Sequence, residues 1–480
     1  MTRTSLLLAS ALLAAGCVTT PQRSVSDLDV EIPDRWSSGD PLEGDMTSGW
    51  LRSFGQPELE TVIAEALANN HDLRAAAARV EAAEAQLRIV GADRLPSVSA
   101  GFSGQRQRQV IIGLPFGVLS PTSSRLGTSI DISWEADLWG RIRAGREAAV
   151  ADAQVAAANL AAARLSLATR VARSWFAVAE ALRQVELAEQ TVETFRRSTE
   201  SVRARYDAGL RPALDLRLSR SQLAGAEALL ARRLEGLERT LRQLELLVGR
   251  YPEGSIEMTS GLPPVPPALP AGLPAQLIAR RPDVVAAERQ LAAADARQVA
   301  ARAALYPSLR LTASGGTASD ELGDLLDGDF RVWSLVAGLT QPLFQGGKLR
   351  AGVDLAAANS EAALASFAQV VLAAFTEVET ALAVDDLLRQ RQEALETAVS
   401  ESLAAQQLAE EQYRAGLVDV LSVLDAQRRA LDAQSTYLDV RRARLDNRLD
   451  LLLALGGDFE NGSAAQTPPL VISTAEVPHS

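Results

Sequence analysis

Cysteine, histidine and methionine are nearly absent from this sequence. It contains one cysteine, Cys17, and two histidines, His71 and His479. A cysteine–histidine metal cluster needs about four such ligands and is therefore excluded, and no pair of nucleophile and histidine base is indicated. The three methionines are too few for a relay of soft ligands that would carry copper or silver. We therefore predict no bound metal and no cofactor, and an enzyme is the least expected class.

Aromatic residues are few, and basic residues are outnumbered by acidic residues. Aromatic residues make up 4% of the 480 residues although 47% are hydrophobic, so alanine, leucine and valine carry the apolar content. That composition is typical of long helices. The net charge of −12 argues against a nucleic-acid partner, which would require a basic surface. Beyond the N-terminus no run of 18 or more apolar residues occurs, so no transmembrane helix is predicted.

The single cysteine ends a short secretory pattern. Arg3 is followed by an apolar run over residues 6–15, which is too short to span a bilayer and has the layout of a signal peptide. The Ala-Ala-Gly-Cys sequence at 14–17 resembles a bacterial lipobox, in which the cysteine is lipidated and becomes the new N-terminus. We predict a signal peptide at 1–16 and lipidation of Cys17. The alternative is an ordinary signal peptide with a chance cysteine.

The pattern of the remaining chain indicates an internal duplication. Residues 141–145 (RIRAG) return as 348–352 (KLRAG), and 206–210 (YDAGL) return as 413–417 (YRAGL), both with a shift of 207 residues. A proline-rich stretch separates the two halves and reads as a stiff linker. The predicted segments are an extended N-terminal segment at 17–55, a first repeat at 56–255, a linker at 256–274, a second repeat at 275–456 and a flexible tail at 457–480.

Each repeat is predicted to contain the same series of elements. A helix comes first, at about 72–94 and 283–305, and a proline stops it. Two alternating segments follow, and then a proline-free run of good helix formers at 141–207 and 348–413. At 1.5 Å per residue each long helix would measure about 100 Å. A glycine then turns the chain into a return helix. Hairpins of this length indicate a coiled-coil-like assembly with neighbours.

The alternating segments number two in each repeat and predict strands with one apolar and one polar face. In residues 130–138 the even-numbered positions are apolar and the odd-numbered positions are polar. The apolar residues are Ile130, Ile132, Trp134, Ala136 and Leu138, and the polar residues are Asp131, Ser133, Glu135 and Asp137. These nine residues would extend about 30 Å, which matches a tilted membrane strand. The alternative is a soluble sandwich with half-buried strands.

Closure of a pore would require several copies of the chain. Known membrane barrels begin at about eight strands, and an open sheet edge in lipid would leave backbone groups unpaired. Three chains with four strands each would supply about twelve strands. We therefore interpret the apolar face as lipid-facing and predict that Asp131, Glu135 and Asp137 line the lumen.

Several motifs in this order resemble those of the outer-membrane efflux protein family (TolC/OprM-like), in the lipidated branch that serves resistance-nodulation-division pumps. They are the lipobox, DLWGRIRAG (137–145), QPLFQGGKLRAG (341–352), VDVLSVLDAQ (418–427) and the paired turns. The resemblance covers nearly all of residues 17–457. It implies a mixed, mainly α fold in which four barrel strands and long helical hairpins per chain build a trimeric 12-stranded β-barrel continuous with a periplasmic α-helical tunnel. It further implies a passive exit duct for small molecules such as drugs, with outer-membrane lipid, a periplasmic adaptor and an inner-membrane proton-driven pump as partners.

The same resemblance gives expected roles to the two turns. It implies that they are periplasmic tips that contact the adaptor through Tyr206, Gly209, Leu210, Tyr413, Gly416 and Leu417. The two tyrosines could equally be packing residues. It also places an aperture aspartate, Asp425, in the LDAQ motif, and with Asp419 and Arg428 close to it in the chain we expect these three residues to form the gate. Our hypothesis is that Asp425 pairs with an arginine of a neighbouring hairpin; the alternative is pairing with Arg428 or Arg429 on its own helix.

Two other functions remain open at the level of sequence. The outer component of type I protein secretion shares this fold, and the lipid anchor favours efflux without deciding the matter. A periplasmic coiled-coil scaffold without a pore is the second alternative, and the alternating strands argue against it.

Overall fold

The structure is a computed structural model of one chain that describes residues 30, 32–38, 50–114, 117–258, 261–267, 274 and 280–457. The signal peptide and Cys17 therefore lie outside the described residues, as does the predicted tail from residue 458. The chain divides into two compact units. One unit contains Arg79–Ala157 and Ala286–Ala368, and the other contains Val30–Ala78, Ala158–Val285 and the residues from Gln369.

The first repeat contains four α-helices and four strands. In chain order they are α1 (Pro57–Asn69), α2 (His71–Ala92), β1 (Ser97–Arg108), β2 (Ile111–Leu114), β3 (Gly117–Leu119), β4 (Thr122–Ala136), α3 (Arg141–Asp207) and α4 (Ala213–Val248). A 3-10 turn at Trp50–Phe54 precedes them. The short β2–β3 hairpin was not predicted, and it lies in the connection between the two long strands.

The second repeat returns the same order. Its elements are α5 (Pro282–Ala303), β5 (Ser308–Ser319), β6 (Arg331–Thr340), α6 (Lys348–Arg414) and α7 (Val420–Ala454), with 3-10 turns at Gly323–Leu326 and Gly328–Phe330 between the strands. Helices α3 and α6 both contain 67 residues. The predicted duplication and the mainly helical fold class are therefore confirmed.

Glycine residues end the long helices at the predicted turns. Gly209 has a φ of +72° and Gly416 a φ of +77°, which residues with a Cβ rarely adopt. After α3, the backbone N–H of Leu210 donates to the carbonyl of Arg205 at 2.9 Å, and Leu417 repeats this bond to Gln412 at 2.9 Å after α6. Both turns thus satisfy the last helical carbonyls in the manner of a Schellman cap.

The four long strands form one antiparallel sheet in the order β1-β4-β5-β6. Its register pairs Val98 with Ile132, Ile132 with Ala313, and Ala313 with Leu335, so apolar side chains meet across all four strands. Since opposite residues in an antiparallel pair share a face, the sheet keeps the predicted apolar and polar faces throughout. Within the described residues, β1 and β6 each pair on one side only, so the sheet has two free edges.

The largest apolar core lies in the second of the two compact units, which contains Val30–Ala78, Ala158–Val285 and the residues from Gln369 and is called the helical unit below. It packs α1 and the middle of α3 against the ends of α4 and α7, with Leu59, Trp175, Phe176, Leu445 and Leu449 almost fully buried. The indole N–H of Trp175 donates to Oε1 of Gln56 at 2.7 Å, which satisfies the one polar atom of that ring. This part of the chain therefore has the dense interior of a folded domain, whereas both faces of the sheet are largely exposed.

The strand and membrane predictions need two adjustments. Strand β4 begins at Thr122, earlier than predicted, and ends at Ala136, so Asp137 and Leu138 lie outside it. Among the described helices, α6 has a window apolar and long enough to cross a membrane, by length and composition only. The window belongs to a helix of 67 residues and is 33% buried, and one such helix is weak evidence for a span.

Candidate functional site

The sheet offers an unusual surface because its apolar face has no partner in the chain. The most exposed apolar side chains of the sheet include Val98 at 65%, Phe102 at 64%, Trp333 at 82%, Leu335 at 74% and Leu339 at 66%. A contiguous apolar face of this kind marks a contact with another protein or with lipid. We call it the outward face, and we call the opposite face, which carries Asp131 and Glu135, the lumen face.

Tryptophans anchor the end of the sheet that joins the helices. The indole N–H of Trp134 donates to the carbonyl of Arg94 at 3.0 Å, and that of Trp139 donates to the carbonyl of Pro307 at 2.7 Å. Trp139 also stacks on Tyr306 with ring centroids 5.0 Å apart. These contacts fix the helix-to-strand corners of both repeats, and the positions match those of interfacial aromatic residues.

Three acidic residues predicted to line the lumen have different environments. Asp131 lies on β4, where the hydroxyl of Ser129 donates to its carboxylate at 2.7 Å. Glu135 also lies on β4, but its carboxylate accepts from Arg141 at 2.8 Å and its cross-strand neighbour is Arg310. The acidic lining is therefore partly neutralised at Glu135, which the sequence alone did not indicate.

The prediction that Asp137 belongs to the acidic strand face is wrong. The strand ends one residue earlier, and the Asp137 carboxylate accepts from the backbone N–H groups of Ile142 at 3.0 Å and Arg143 at 2.8 Å. Both donors are in the first turn of α3, whose N–H groups lack helical partners and whose dipole favours an anion. Asp137 thus caps a helix, and the strand face retains two acidic residues per chain instead of three.

The hairpin turns combine exposed leucines with one buried tyrosine. Leu210 is 72% exposed, Leu417 75% and Tyr206 40%, as a contact surface requires. Tyr413 is only 5% exposed, so its expected contact with a partner is wrong and the packing alternative holds for this residue. Its burial raises the pKa of the phenol, although Arg211 and Arg205 oppose the shift.

Arginine side chains link the two turns. The guanidinium of Arg205 lies 4.7 Å from the ring centroid of Tyr413, and that of Arg211 lies 5.0 Å from it. Arg205 also donates to the carbonyls of Tyr413 at 2.9 Å and Arg414 at 3.0 Å. A cation that binds the last carbonyls of α6 complements the negative end of that helix. The first turn is thereby tied to the second.

The expected gate residues are paired locally in the chain. The Asp425 carboxylate accepts from Arg428 at 2.9 Å and from Arg429 at 2.7 Å, both on its own helix. These hydrogen bonds, that of Arg428 first, lower the pKa of Asp425. Within the described residues of one chain, the pairing with a neighbouring hairpin is not formed and the alternative is observed. The tip arginines have other partners, such as Glu410 for Arg414.

Asp419, which was expected at the gate, has a structural role at the start of α7. Its carboxylate accepts from the backbone N–H of Ser422 at 2.9 Å and caps the N-terminus of α7. The hydroxyl of Ser422 donates to the same oxygen at 2.7 Å, and these bonds lower the pKa of Asp419. Asp419 therefore stabilises the start of the helix that carries Asp425.

Two charged groups of the helical unit were missed at the level of sequence. Arg281 is buried and donates to Asp283, to Glu377 at 2.7 Å and to the carbonyl of Ala454 at 3.0 Å. Burial raises the pKa of Asp446 to about 6, with Arg442 and Arg173 acting in the opposite direction. No signal in the local sequence marks either residue, because each is buried by segments distant in the chain. Among the described residues, no group of three or more histidine, cysteine, aspartate or glutamate side chains could hold a metal ion.

Comparison with known proteins gives a consistent set of matches. The family model described as outer membrane efflux protein matches residues 62–250 and 273–457. The chain is 33% identical over 476 residues to outer membrane protein OprJ of Pseudomonas aeruginosa, a match that covers 95% of this chain and 96% of that protein. It is 31% identical over 413 residues to the probable outer membrane lipoprotein SilC of Salmonella typhimurium, covering 86% of this chain and 88% of SilC.

The fold also matches a solved structure over almost its whole length. The structure of the MtrE outer membrane channel of Neisseria gonorrhoeae, described as an open state, superposes with a TM-score of 0.82 at 30% sequence identity. The match covers 93% of this chain and 99% of MtrE.

Proposed function

The chain belongs to the outer membrane efflux protein family and is an outer-membrane efflux channel, and from this premise we propose that three copies form a passive exit duct for small molecules. The observation that carries this proposal is the four-stranded sheet, which has two free edges and an exposed apolar face within the described residues. In a bilayer such edges must be paired, and three sheets provide about twelve strands for a closed barrel.

Conductance tests the proposed duct directly. The purified protein, reconstituted in a planar bilayer, is expected to form pores, while a variant with a proline at Ala313 is expected to form none. Ala313 lies within β5 and pairs with strands on both sides, so a proline there removes a ladder hydrogen bond. A folded wild-type trimer without any conductance would refute the duct and favour a scaffold.

The helical hairpins are the proposed contact with a periplasmic adaptor, which in turn would connect the duct to an inner-membrane proton-driven pump. The exposed pair Leu210 and Leu417 supports this role, because both residues lie in turns where backbone hydrogen bonds cap the end of the preceding helix. Arg205 would hold the two turns in one arrangement, so the adaptor would meet a preformed surface. A hydrophobic surface with an ordered backbone loses little entropy on binding.

The proposed gate is a ring of Asp425 residues around the axis of the trimer. In each chain the Asp425 carboxylate accepts hydrogen bonds from Arg428 and Arg429. Three bare carboxylates about 7 Å apart would repel by roughly 0.6 kcal/mol per pair in water and 2.4 kcal/mol at an effective dielectric of 20. Because Arg428 and Arg429 both hydrogen-bond to Asp425, each group of one aspartate and two arginines instead has a net positive charge. We propose that each carboxylate screens its own arginines from those of the next copy, so the aspartate keeps the ring closed by limiting this repulsion.

Lipidation of Cys17 is a separate proposal. Its support is the lipobox-like sequence before Cys17 and the similarity to SilC, which is named a probable outer membrane lipoprotein. Mass spectrometry of the mature N-terminus is expected to show cleavage after Gly16 and an acylated cysteine. An unmodified Cys17 or a different cleavage site would refute the proposal.

Efflux of small molecules is favoured over protein secretion because the family that matches is one of efflux proteins. Deletion of the gene in its host is expected to raise sensitivity to small toxic compounds and to leave the secreted proteins unchanged. The opposite pattern would support the secretion alternative. The lumen face is lined mainly by hydroxyl-bearing and small residues, which gives little chemical selectivity, so selection of the cargo is assigned to the pump.

A further inference from the structure

Three arginines interrupt the outward face at one end of the sheet. Arg106 and Arg108 end β1, and Arg331 begins β6. The register places Arg331 opposite Thr317, which is itself opposite Thr128 and thus on the outward face with Phe102. Arg106 and Arg108 follow Phe102 with the same parity. All three side chains are exposed, and none of them forms an ion pair with another described residue.

Their position marks a boundary of the membrane. An outward-facing arginine is strongly unfavourable near the bilayer mid-plane and nearly neutral at the interface. The apolar rows run from Ala136 to Ile130 along β4, and the arginines lie beyond them, at the end of the sheet opposite to the helices. Because the helices extend into the periplasm in this family, the arginines lie at the level of the outer leaflet headgroups.

The internal duplication predicts how neighbouring copies meet. Ser97 corresponds to Ser308 and pairs with Ser133, just as Ser308 pairs with Thr340. Strand β1 is thus the counterpart of β5, and β4 is the counterpart of β6. Because β4 pairs with β5 within the chain, we expect β6 of one copy to pair with β1 of the next in the same way. Transferring the register of that pair places Leu339 opposite Phe102 of the next copy and Trp333 opposite Arg108 of the next copy. The result keeps apolar residues on one face, whereas a shift by one residue would invert the faces.

This register collects the arginines at the seam between two copies. Within one chain, β1 and β6 form opposite edges of the sheet, so Arg331 is remote from the other two. Across the seam, Arg331 becomes a diagonal neighbour of Arg108 of the next copy, at about 7–8 Å between Cα atoms. Arg106 of that copy lies two residues before Arg108 on the same face, and Trp333 lies between Arg331 and Arg106. Each seam thus gathers three guanidinium groups beside one aromatic ring.

We propose that each seam binds the phosphate groups of a phosphorylated glycolipid in the outer leaflet. Guanidinium groups bind phosphate oxygens in a bidentate manner, and three of them match a headgroup with two phosphates. The apolar rows below the arginines would contact the acyl chains, and Trp333 would lie at the headgroup level. This site rests on the proposed trimeric barrel, because no single chain contains it.

An acidic loop is the competing partner for these arginines. Residues 320–330 join β5 to β6 and carry Asp320, Glu321, Asp324, Asp327 and Asp329. Asp324 accepts from Ser319 at 2.8 Å and Asp327 accepts from the N–H of Asp329 at 3.1 Å. Arg331 directly follows this loop, yet it forms no ion pair with the loop within the described residues. The loop therefore leaves the guanidinium group available to an external anion.

Native mass spectrometry of the detergent-purified trimer tests the site. With diphosphoryl lipid A as probe, the wild-type protein is expected to retain up to three molecules per trimer. Arg331→Gln, and separately the double change Arg106→Gln with Arg108→Gln, are each expected to lower the apparent affinity at least about 10-fold, since a charge-assisted hydrogen bond is removed. Arg125→Gln is the matched control, because Arg125 lies opposite Gln105 on the lumen face at the same end of the sheet.

Several outcomes would overturn the proposal. Equal losses with Arg125→Gln would show a nonspecific charge effect, and displacement of the lipid by millimolar inorganic phosphate would show a site for the free anion. If Asp327→Asn with Asp329→Asn raised lipid affinity 10-fold or more, the loop would be the partner of the arginines. Pore formation in planar bilayers by all these variants would show that the duct is intact, which separates failure of the lipid site from failure of the proposed function.

Disulfide crosslinking tests the register at the seam. Phe102 and Leu339 lie on opposite edges of one sheet and eight residues apart along the strand direction, roughly 30 Å from each other, so a disulfide between cysteines at these positions joins two copies. Oxidation is expected to give covalent trimers, whereas Val98→Cys with Leu339→Cys, on the same face but four residues away, is expected to give none. Crosslinking by the control pair alone would show a different register and would remove the arginine cluster.

Discussion

Replacement of Ile132 by lysine tests which face of the sheet meets lipid. Ile132 lies on the central row of the outward face, together with Val98, Ala313 and Leu335. Four residues separate it from Ala136 at one end of the apolar face and four from Thr128 at the other, about 14 Å along the strand in each direction. Ile132 is therefore expected near the middle of the hydrocarbon layer.

The expected effect follows from this depth. A lysine on the lipid face of a barrel costs about 2–4 kcal/mol at the mid-plane, which corresponds to a folding equilibrium about 30- to 700-fold less favourable per chain. Ser133→Lys is the matched control, since Ser133 is the next residue on β4 and lies on the lumen face. A lysine in a water-filled lumen is expected to change the folding free energy by only about 0.5 kcal/mol.

Folding into lipid vesicles at increasing urea concentration measures both variants. The fraction folded is read from the heat-modifiable band on SDS gels, and the midpoints of the transitions give the difference in free energy. If Ser133→Lys were the damaging change and Ile132→Lys the neutral one, the assignment of the faces would be inverted. Equal and large losses in both variants would indicate a sheet buried on both faces, as in a soluble sandwich.

Four further predictions concern the lumen, the gate, the tips and the response to pH. Asp131→Asn is expected to reduce the cation preference of the pore in reversal-potential measurements, whereas Asp137→Asn, which alters a helix cap, is expected to leave it unchanged; an equal effect of both would contradict the lumen assignment. Asp425→Ala leaves two arginines per chain unpaired and is expected to raise single-channel conductance, and wild-type conductance would exclude it from the gate. Gly416→Trp is expected to abolish drug resistance while trimers still insert, since its φ of +77° disfavours a side chain, and unchanged resistance would rule out the tip as the adaptor contact. The raised pKa of Asp446, about 6, means that its contribution to stability is present at low pH and is lost as pH rises through 6, so Asp446→Asn is expected to flatten the change in melting temperature between pH 5 and pH 7.5.

The sequence was sufficient for features that depend on local pattern. The helices α3 and α6 were predicted to within one residue, because a long proline-free run of good helix formers ends at a glycine in each repeat. The alternation in β4 determined which residues share a face, since side chains on a strand alternate whatever their tertiary surroundings. The shift of 207 residues between the repeats was also readable, and together with the shift of 211 residues from Ser97 to Ser308 it is the basis for the register proposed at the seam.

Partners across the chain were decided only by the tertiary structure. Alternation assigned Asp137 to the strand, but its carboxylate binds the first turn of α3, because the ends of elements depend on which backbone donors lack partners. Tyr413 and Tyr206 occupy equivalent places in the two turns, yet one is buried under Arg205 and Arg211 and the other is half-exposed. A repeat in sequence fixes equivalent backbone positions, whereas burial depends on side chains contributed by distant segments, and that information is absent from any local pattern.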